Sequence, residues 1–451
     1  SIVFVVDSSG SMRTEADLKH MDDREKTGLS ILDITKHAVT TCLEALDDGD
    51  RACLITFSDE PVVRCNCKEN PYVQCTRAGK KRFSQALANV KPRGQTNLWM
   101  ALHRAMTMQP DYIILLTDGR PNPSPPRGER AMLDMFLDEH PSSTFSIHTY
   151  GFGYSLDSKL LRDIAAATGG MYHFIPDASF VGTIFVHSIA NILATAAKNA
   201  GLFLEVGTTM HFKDVGELVF GQSRTVRFDG VEVPEGTVPT ITLKCSLVGS
   251  PDVIVRGPHP ARTTGGHRLL DYISRLALVD SELYCELYQG EGGSKYKALP
   301  VNFKKLEARL TNLPTVLDTT PSPFYSDIML DVRGQIREAM GEEAFQRWGY
   351  HFLLSLKMAH ALQRGLNFKD PGPLHYGGSM FRTLRDTADK LFNQLPPPKP
   401  SLPRPSDTPQ YRGGGRRLER CSRPKSPPPP INMERFNKPN YGGRFDGNGM
   451  V

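Results

Sequence analysis

The apolar run Ile2-Val3-Phe4-Val5-Val6 passes without a break into Asp7-Ser8-Ser9-Gly10-Ser11. Every residue of the run is β-branched or aromatic, which predicts a strand buried on both faces, as in a parallel sheet covered by helices. The loop after it constrains the chemistry. One carboxylate and two hydroxyls at alternate positions, on a loop freed to turn by Gly10, converge on one hard cation that takes small oxygen ligands. Two further oxygen donors stand where a doubly wound sheet gathers its strand ends. Thr96 lies in Gly94-Gln95-Thr96-Asn97 and opens a helical stretch, Leu98 to Met106. Asp118 follows a second apolar strand, Ile113 to Leu116, in Thr117-Asp118-Gly119. A plainer reading makes Asp7 a cap and Asp118 a turn residue, but three separated segments then agree only by accident.

On these residues the chain resembles the von Willebrand factor A (VWA) domain with its metal-ion-dependent adhesion site, over roughly residues 1 to 198. The resemblance implies an α/β fold with a Rossmann-like, doubly wound parallel sheet. It implies Mg²⁺ or Mn²⁺ touched directly by Ser9, Ser11 and Thr96, with Asp7 and Asp118 holding the ion's waters. One coordination position then stays open for a carboxylate of a protein partner. The intervening pattern alternates as such a sheet requires. Ser30 to Leu46 carries Ile31, Ile34, Ala38, Cys42 and Leu46 at helical spacing. Ala52 to Phe57 and Phe145 to Tyr150 read as strands, Ser158 to Ala167 and Val181 to Ala196 as helices. The charged segment Arg13 to Thr27 either rims the site or is a solvated loop.

From about Gly201 the pattern changes to short β-like runs, at 202–206, 217–220, 225–228 and 240–248, which predicts a small antiparallel unit within residues 200–265. A helical part, 266–395, follows, with expected helices Arg268 to Val279 and Asp327 to Gly365. Trp348, Phe352, Leu356, Ala359 and Leu362 share one face of the second and are read as core, while His351 and His360 are read as structural residues. This half resembles the VWA-interacting (Vwaint) domain. The likeness rests on Leu218-Val219-Phe220-Gly221-Gln222-Ser223-Arg224, on Trp348-Gly349 with Asn367-Phe368-Lys369-Asp370-Pro371-Gly372, and on Leu395-Pro396-Pro397-Pro398-Lys399-Pro400-Ser401. Related proteins place the pair beside a RING or U-box ubiquitin-ligase module or ahead of a Hedgehog/intein-like (Hint) domain. Neither module is complete here.

After Leu395 come thirteen prolines and eleven Lys and Arg against four Asp and Glu, so the tail carries the whole basic balance of a chain whose net charge is +5. Residues 396–440 are expected to be a disordered linker, favoured over a contact with nucleic acid or an anionic membrane because aromatic residues are not interleaved with the charges. Residues 441–451 resemble the entry to a Hint domain, with Arg444 in place of the nucleophilic cysteine. A guanidinium neither attacks a carbonyl nor forms a thioester, so no self-cleavage is expected.

Eight cysteines, several inside apolar elements (Cys42, Cys53, Cys245), read as reduced core residues, and a cytoplasmic location is expected. Cys65, Cys67 and Cys75 have zinc-like spacing without a fourth ligand nearby, which favours a reduced cluster over a zinc site. The chain begins in its first strand without Met, so an upstream segment is expected to have been removed. Walker, Gly-x-Ser-x-Gly, His-Glu-x-x-His and paired-cysteine redox motifs are absent, so neither catalysis nor a small-molecule substrate is expected. The expected function is metal-dependent recruitment of an acidic protein partner, with the substrate-recognition part of a ubiquitin ligase as the alternative.

Overall fold

The computed structural model describes residues 1–16, 28–64, 70–248, 252–258, 267–279 and 300–402. Its first layer is a seven-stranded sheet. Strands β1 (Ile2–Asp7), β2 (Arg51–Phe57), β3 (Pro61–Val63), β4 (Val73–Gln74), β5 (Tyr112–Thr117), β6 (Ser146–Phe152) and β7 (Tyr172–Ile175) form it in the order β3-β2-β1-β5-β6-β7, with β4 beside β2. The five strands from β2 to β7 are parallel, whereas β3 and β4 run antiparallel. Alternation explains why β1 is apolar throughout: Val3 and Val5 belong to one buried cluster, and Ile2, Phe4 and Val6 to another on the opposite face.

Helices α1 (Ile31–Glu44), α2 (Arg77–Ala88) and α6 (Val181–Leu193) cover the second face; α3 (Leu98–Met106), α4 (Glu129–Glu139) and α5 (Ser158–Ala167) cover the first. A capping box sets the start of α1: the Asp33 amide donates to Ser30 Oγ at 3.2 Å, and the Ser30 amide to Asp33 Oδ2 at 2.9 Å. The expected helix to Ala196 stops at Leu193, because β8 (Thr195–Val206) begins two residues later. The division expected at residue 198 falls inside this strand. With β9 (Thr209–Val219), β10 (Thr240–Leu247) and β11 (Asp252–Pro258), β8 makes an antiparallel sheet ordered β11-β10-β8-β9.

Two expectations for this region change. Residues 225–228 are not a strand: the Thr225 amide donates to Gln363 Oε1 at 3.0 Å and Gln363 Nε2 donates to Thr225 O at 2.9 Å, so a side chain takes the bonds a ladder would use. The single helix expected over 327–365 is several pieces. It runs through Pro323–Asp331 and Tyr350–Leu362, with a non-helical Gly334 and widened turns between them. Gly349 explains one irregularity, since a Cβ there would lie 2.0 Å from Ala339 O. Phe352, Leu356 and Ala359 are buried as core, with Trp348 and Leu362 packed against them half-buried.

The two halves share their cores. The cluster on the first face of the parallel sheet continues into Leu270, Leu310, Ile328, Leu353 and Leu356. On the other face, Ala388 and Phe392 of the last helix, Ser379–Gln394, join the cluster under α6, and Gly182 permits that approach because a Cβ there would meet the Phe392 ring at 2.6 Å. The open edge of β7 is closed by the Tyr350–Leu362 helix. Ser355 Oγ donates to Tyr172 O at 3.1 Å and accepts from the Phe174 amide at 3.4 Å. Among the described residues no helix is long and apolar enough to cross a membrane.

Cys42, Cys53, Cys75 and Cys245 are buried free thiols, and burial pushes Cys42 up to about 12 and Cys75 up to about 11. Cys65 and Cys67 lie outside the described residues, as do most of Arg13 to Thr27, the tail beyond Leu402 and Arg444. Among the described residues no three His, Cys, Asp or Glu side chains gather as a metal-ligating group.

Candidate functional site

Strand β1 ends at the carboxyl edge of the sheet between β2 and β5, so its loop emerges where strand ends converge. Ser8 anchors that loop: its amide and hydroxyl both donate to Phe57 O, at 2.7 and 2.8 Å. Asp7 is fully buried behind it. Its Oδ1 accepts the Ser9 amide at 2.8 Å and its Oδ2 accepts Thr117 Oγ1 at 2.6 Å. In front, the hydroxyls of Ser9 and Ser11 are 2.9 Å apart, and Ser11 Oγ donates to Asp118 Oδ1 at 2.8 Å. Thr96 completes the group. A Cβ on Gly119 would lie 3.9 Å from both Ser11 Oγ and Thr96 Oγ1, so these hydroxyls flank one point on the chain. Two backbone hydrogen bonds with Asn122, at 2.8 and 2.9 Å, fix Thr96 in place. Asp59 orders the loop before it, accepting the Gln95 amide at 3.1 Å.

Asp7, Ser9, Ser11, Thr96 and Asp118, five residues from three segments, thus stand together. Burial and then the charge of Asp118 push Asp7 up to about 7, and burial also raises Asp118. Neither carboxylate forms an ion pair among the described residues. Two buried carboxylates beside three hydroxyls, with no side-chain cation paired to them among the described residues, fit a hard divalent ion. The donors are all oxygen, which disfavours a thiophilic metal.

Ser9, Ser11, Thr96 and Asp118 open into a cleft of about 1300 Å³. Thr14, Glu15 and Ala16 form one wall. Three further lining residues come from far along the chain: Gln346, and Tyr350 and His351 at the start of the helix that closes β7. Ser158 ties it down, its hydroxyl 2.6 Å from both His351 Nδ1 and Tyr172 OH. Burial, with a smaller push from Arg120, lowers His351 to about 4, so it is neutral at physiological pH. No local pattern marks Gln346–His351 as part of the site; only the docking of that helix on β7 brings it there. Thr117, which holds Asp7, does carry a readable signal: a hydroxyl one residue before a buried carboxylate at a strand end.

Residues 2–120 match the family model described as von Willebrand factor type A domain, and residues 322–390 match that described as VWA / Hh protein intein-like, Vwaint. Among solved structures, a von Willebrand factor type A protein from Catenulispora acidiphila is 15% identical, covering 80% of this chain and 88% of that one, with a TM-score of 0.49. The ArnB paralog VWA2 from Sulfolobus acidocaldarius is 12% identical over 77% of this chain and 88% of its own, TM-score 0.40. Proximal thread matrix protein 1 from the mussel byssus, with a zinc-occupied MIDAS motif, is 16% identical over 44% of this chain and 48% of its own, TM-score 0.33. No curated protein matches the chain.

Proposed function

We infer that this chain, in which a von Willebrand factor type A domain is followed by a Vwaint domain, is a non-catalytic protein-binding module that recruits an acidic partner through a divalent cation. The observation that carries this reading is the pair of buried carboxylates, Asp7 and Asp118, that stand beside three hydroxyls at an open cleft and form no ion pair among the described residues. Ser9, Ser11 and Thr96 would hold Mg²⁺ or Mn²⁺ directly, and Asp7 and Asp118 would hold its waters and balance its charge. The bound ion supplies a coordination position that a partner's Asp or Glu side chain fills. Asp7 is fixed from behind by Thr117 and the Ser9 amide, so the serine loop meets a partner already shaped. The Vwaint segment Gln346–His351 contacts whatever flanks the partner's acidic residue. The buried free thiols support a reducing, cytoplasmic setting.

Affinity purification from cell extract, in Mg²⁺ and in EDTA, with Asp118→Ala as control, tests the reading. A partner retained only with metal and with Asp118 intact supports it; identical partners in every lane reject it.

A further inference from the structure

After its last helix the chain enters a proline run and crosses to the start of α1, a contact the metal reading does not use. Ser401 Oγ donates to Asp33 Oδ2 at 2.6 Å, and the Ser401 amide donates to the same oxygen at 3.1 Å. The hydroxyls of Ser401 and Ser30 are 3.0 Å apart, and the Leu402 amide donates to Gly28 O at 3.0 Å. The strap is thus latched onto the carboxylate that closes the capping box of α1. Hydrogen bonds continue from the latch to the cleft. The Gly28 amide donates to Glu15 Oε1 at 3.2 Å, the Ala16 amide to Leu29 O at 2.9 Å, and the Ile31 amide to Thr14 O at 2.9 Å. Thr14, Glu15 and Ala16 line the cleft wall.

Ser401 is exposed, and it follows Pro400 in the run Pro396-Pro397-Pro398-Lys399-Pro400, a sequence biased to extended backbone. We propose that Ser401 is a phosphorylation site and that its modification unlatches the strap from α1. In the transfer, Ser401 Oγ forms a bond to the γ-phosphorus of ATP as the β,γ-bridging P–O bond breaks. ADP leaves, and the hydroxyl proton passes to the base of the protein kinase. The product carries about −1.5 to −2 charge and, once ionised, only acceptor oxygens. Beside Asp33 it meets a like charge where a hydroxyl proton had bridged the two. The amino end of α1 offers it little, because the Ser30, Ile31 and Asp33 amides already donate to Asp33, Thr14 and Ser30. The phosphate is tolerated only on the released strap, so the equilibrium moves to release.

That release loosens the cleft rests on the metal reading; the latch itself does not. The full chain is compared with Ser401 unmodified, replaced (Ser401→Ala), or carried as genetically encoded phosphoserine, first by amide hydrogen exchange in EDTA and then by Mg²⁺ titration. We expect at least tenfold faster exchange of the Leu402 amide, corrected for its intrinsic rate, in the phosphorylated chain than in Ser401→Ala, and protection regained when Asp33→Asn is added. Unchanged exchange overturns the latch. Faster exchange with unchanged Mg²⁺ affinity overturns its link to the cleft, whereas absence of Mg²⁺ binding in every chain sinks the metal reading and leaves the latch decided. Phosphopeptide mapping of the chain from phosphatase-inhibited cells should find phosphate on Ser401; its absence with that peptide recovered overturns the assignment as a modification site.

Discussion

The two ends of the parallel sheet treat buried charge in opposite ways. At the amino end, Glu217 of β9 lies under the sheet with Arg364 NH2 3.4 Å from its Oε2, Ser146 Oγ donating to its Oε1 at 2.7 Å, and Lys198 close enough to feel its charge. At the carboxyl end, Asp7 and Asp118 are equally buried and, among the described residues, accept hydrogen bonds from hydroxyls and an amide without an ion pair. Charge neutralised by the chain's own side chains holds the two halves together; charge left for a solute marks where something binds. A second carboxyl pair, Asp331 and Asp370, sharpens the distinction. Burial lifts both, Asp370's charge lifts Asp331 further, and the pair faces amides, of Gly372 and Asn367, in a closed core. A shared proton can quiet that pair, both members of which are buried.

The most severe way to break this comparison is at the amino end. Arg364→Ala leaves Glu217 buried without its guanidinium and should cost about 3–5 kcal/mol in urea unfolding; a loss under 1 kcal/mol would mean that Lys198 suffices. The same end should be acid-sensitive. His148 lies close to Arg364 and Lys198 with both ring nitrogens unpartnered among the described residues, and burial, then those two charges, lower it to about 3. An unfolded imidazole titrates near 6.5, so the folded state is favoured above that pH and loses stability as pH falls toward 3. At pH 5 this residue should cost about 2 kcal/mol, and His148→Phe should recover it relative to pH 7 in paired melting curves.

The carboxyl end should respond in the other direction. In EDTA, Asp118→Asn relieves the like charge beside Asp7 and should leave stability equal to wild type or higher by of order 1 kcal/mol. In Mg²⁺ the wild type should gain stability and the variant should not, read as the difference in Tm with and without metal. Equal gains in both chains would remove Asp118 from the site. Finest of all is Ser355→Ala, which strips Tyr172 O and the Phe174 amide of a partner at the β7 edge. A loss of about 1 kcal/mol is expected, with faster exchange confined to β7.

The parallel sheet and its five oxygen donors were legible because they depend on nearest-neighbour facts: apolar runs that end in Asp, Ser or Thr at strand tips. What stayed hidden depends on distant docking. Gln346–His351 reaches the cleft only because Ser355 and Met358 pair with the backbone of β7, nearly two hundred residues earlier in the chain. Asp252–Pro258 pairs with β10 although Ile254 and Val255 are both exposed, so it lacks the in–out alternation that announces a strand. Residues 225–228 show the converse error. Their alternation is real, but Gln363 takes the hydrogen bonds of Thr225 from a helix terminus, which spacing along the chain does not encode.

The plug on β7 also bears on how this protein can be cut and combined. An edge whose amide and carbonyl are capped by a serine from another domain is not a free end onto which modules can be strung. The first two hundred residues are therefore poor currency for transplantation: a graft that leaves the Tyr350–Leu362 helix behind carries an open strand and a cleft stripped of Tyr350 and His351. Recombination that keeps such a chain working has to move both halves as one piece.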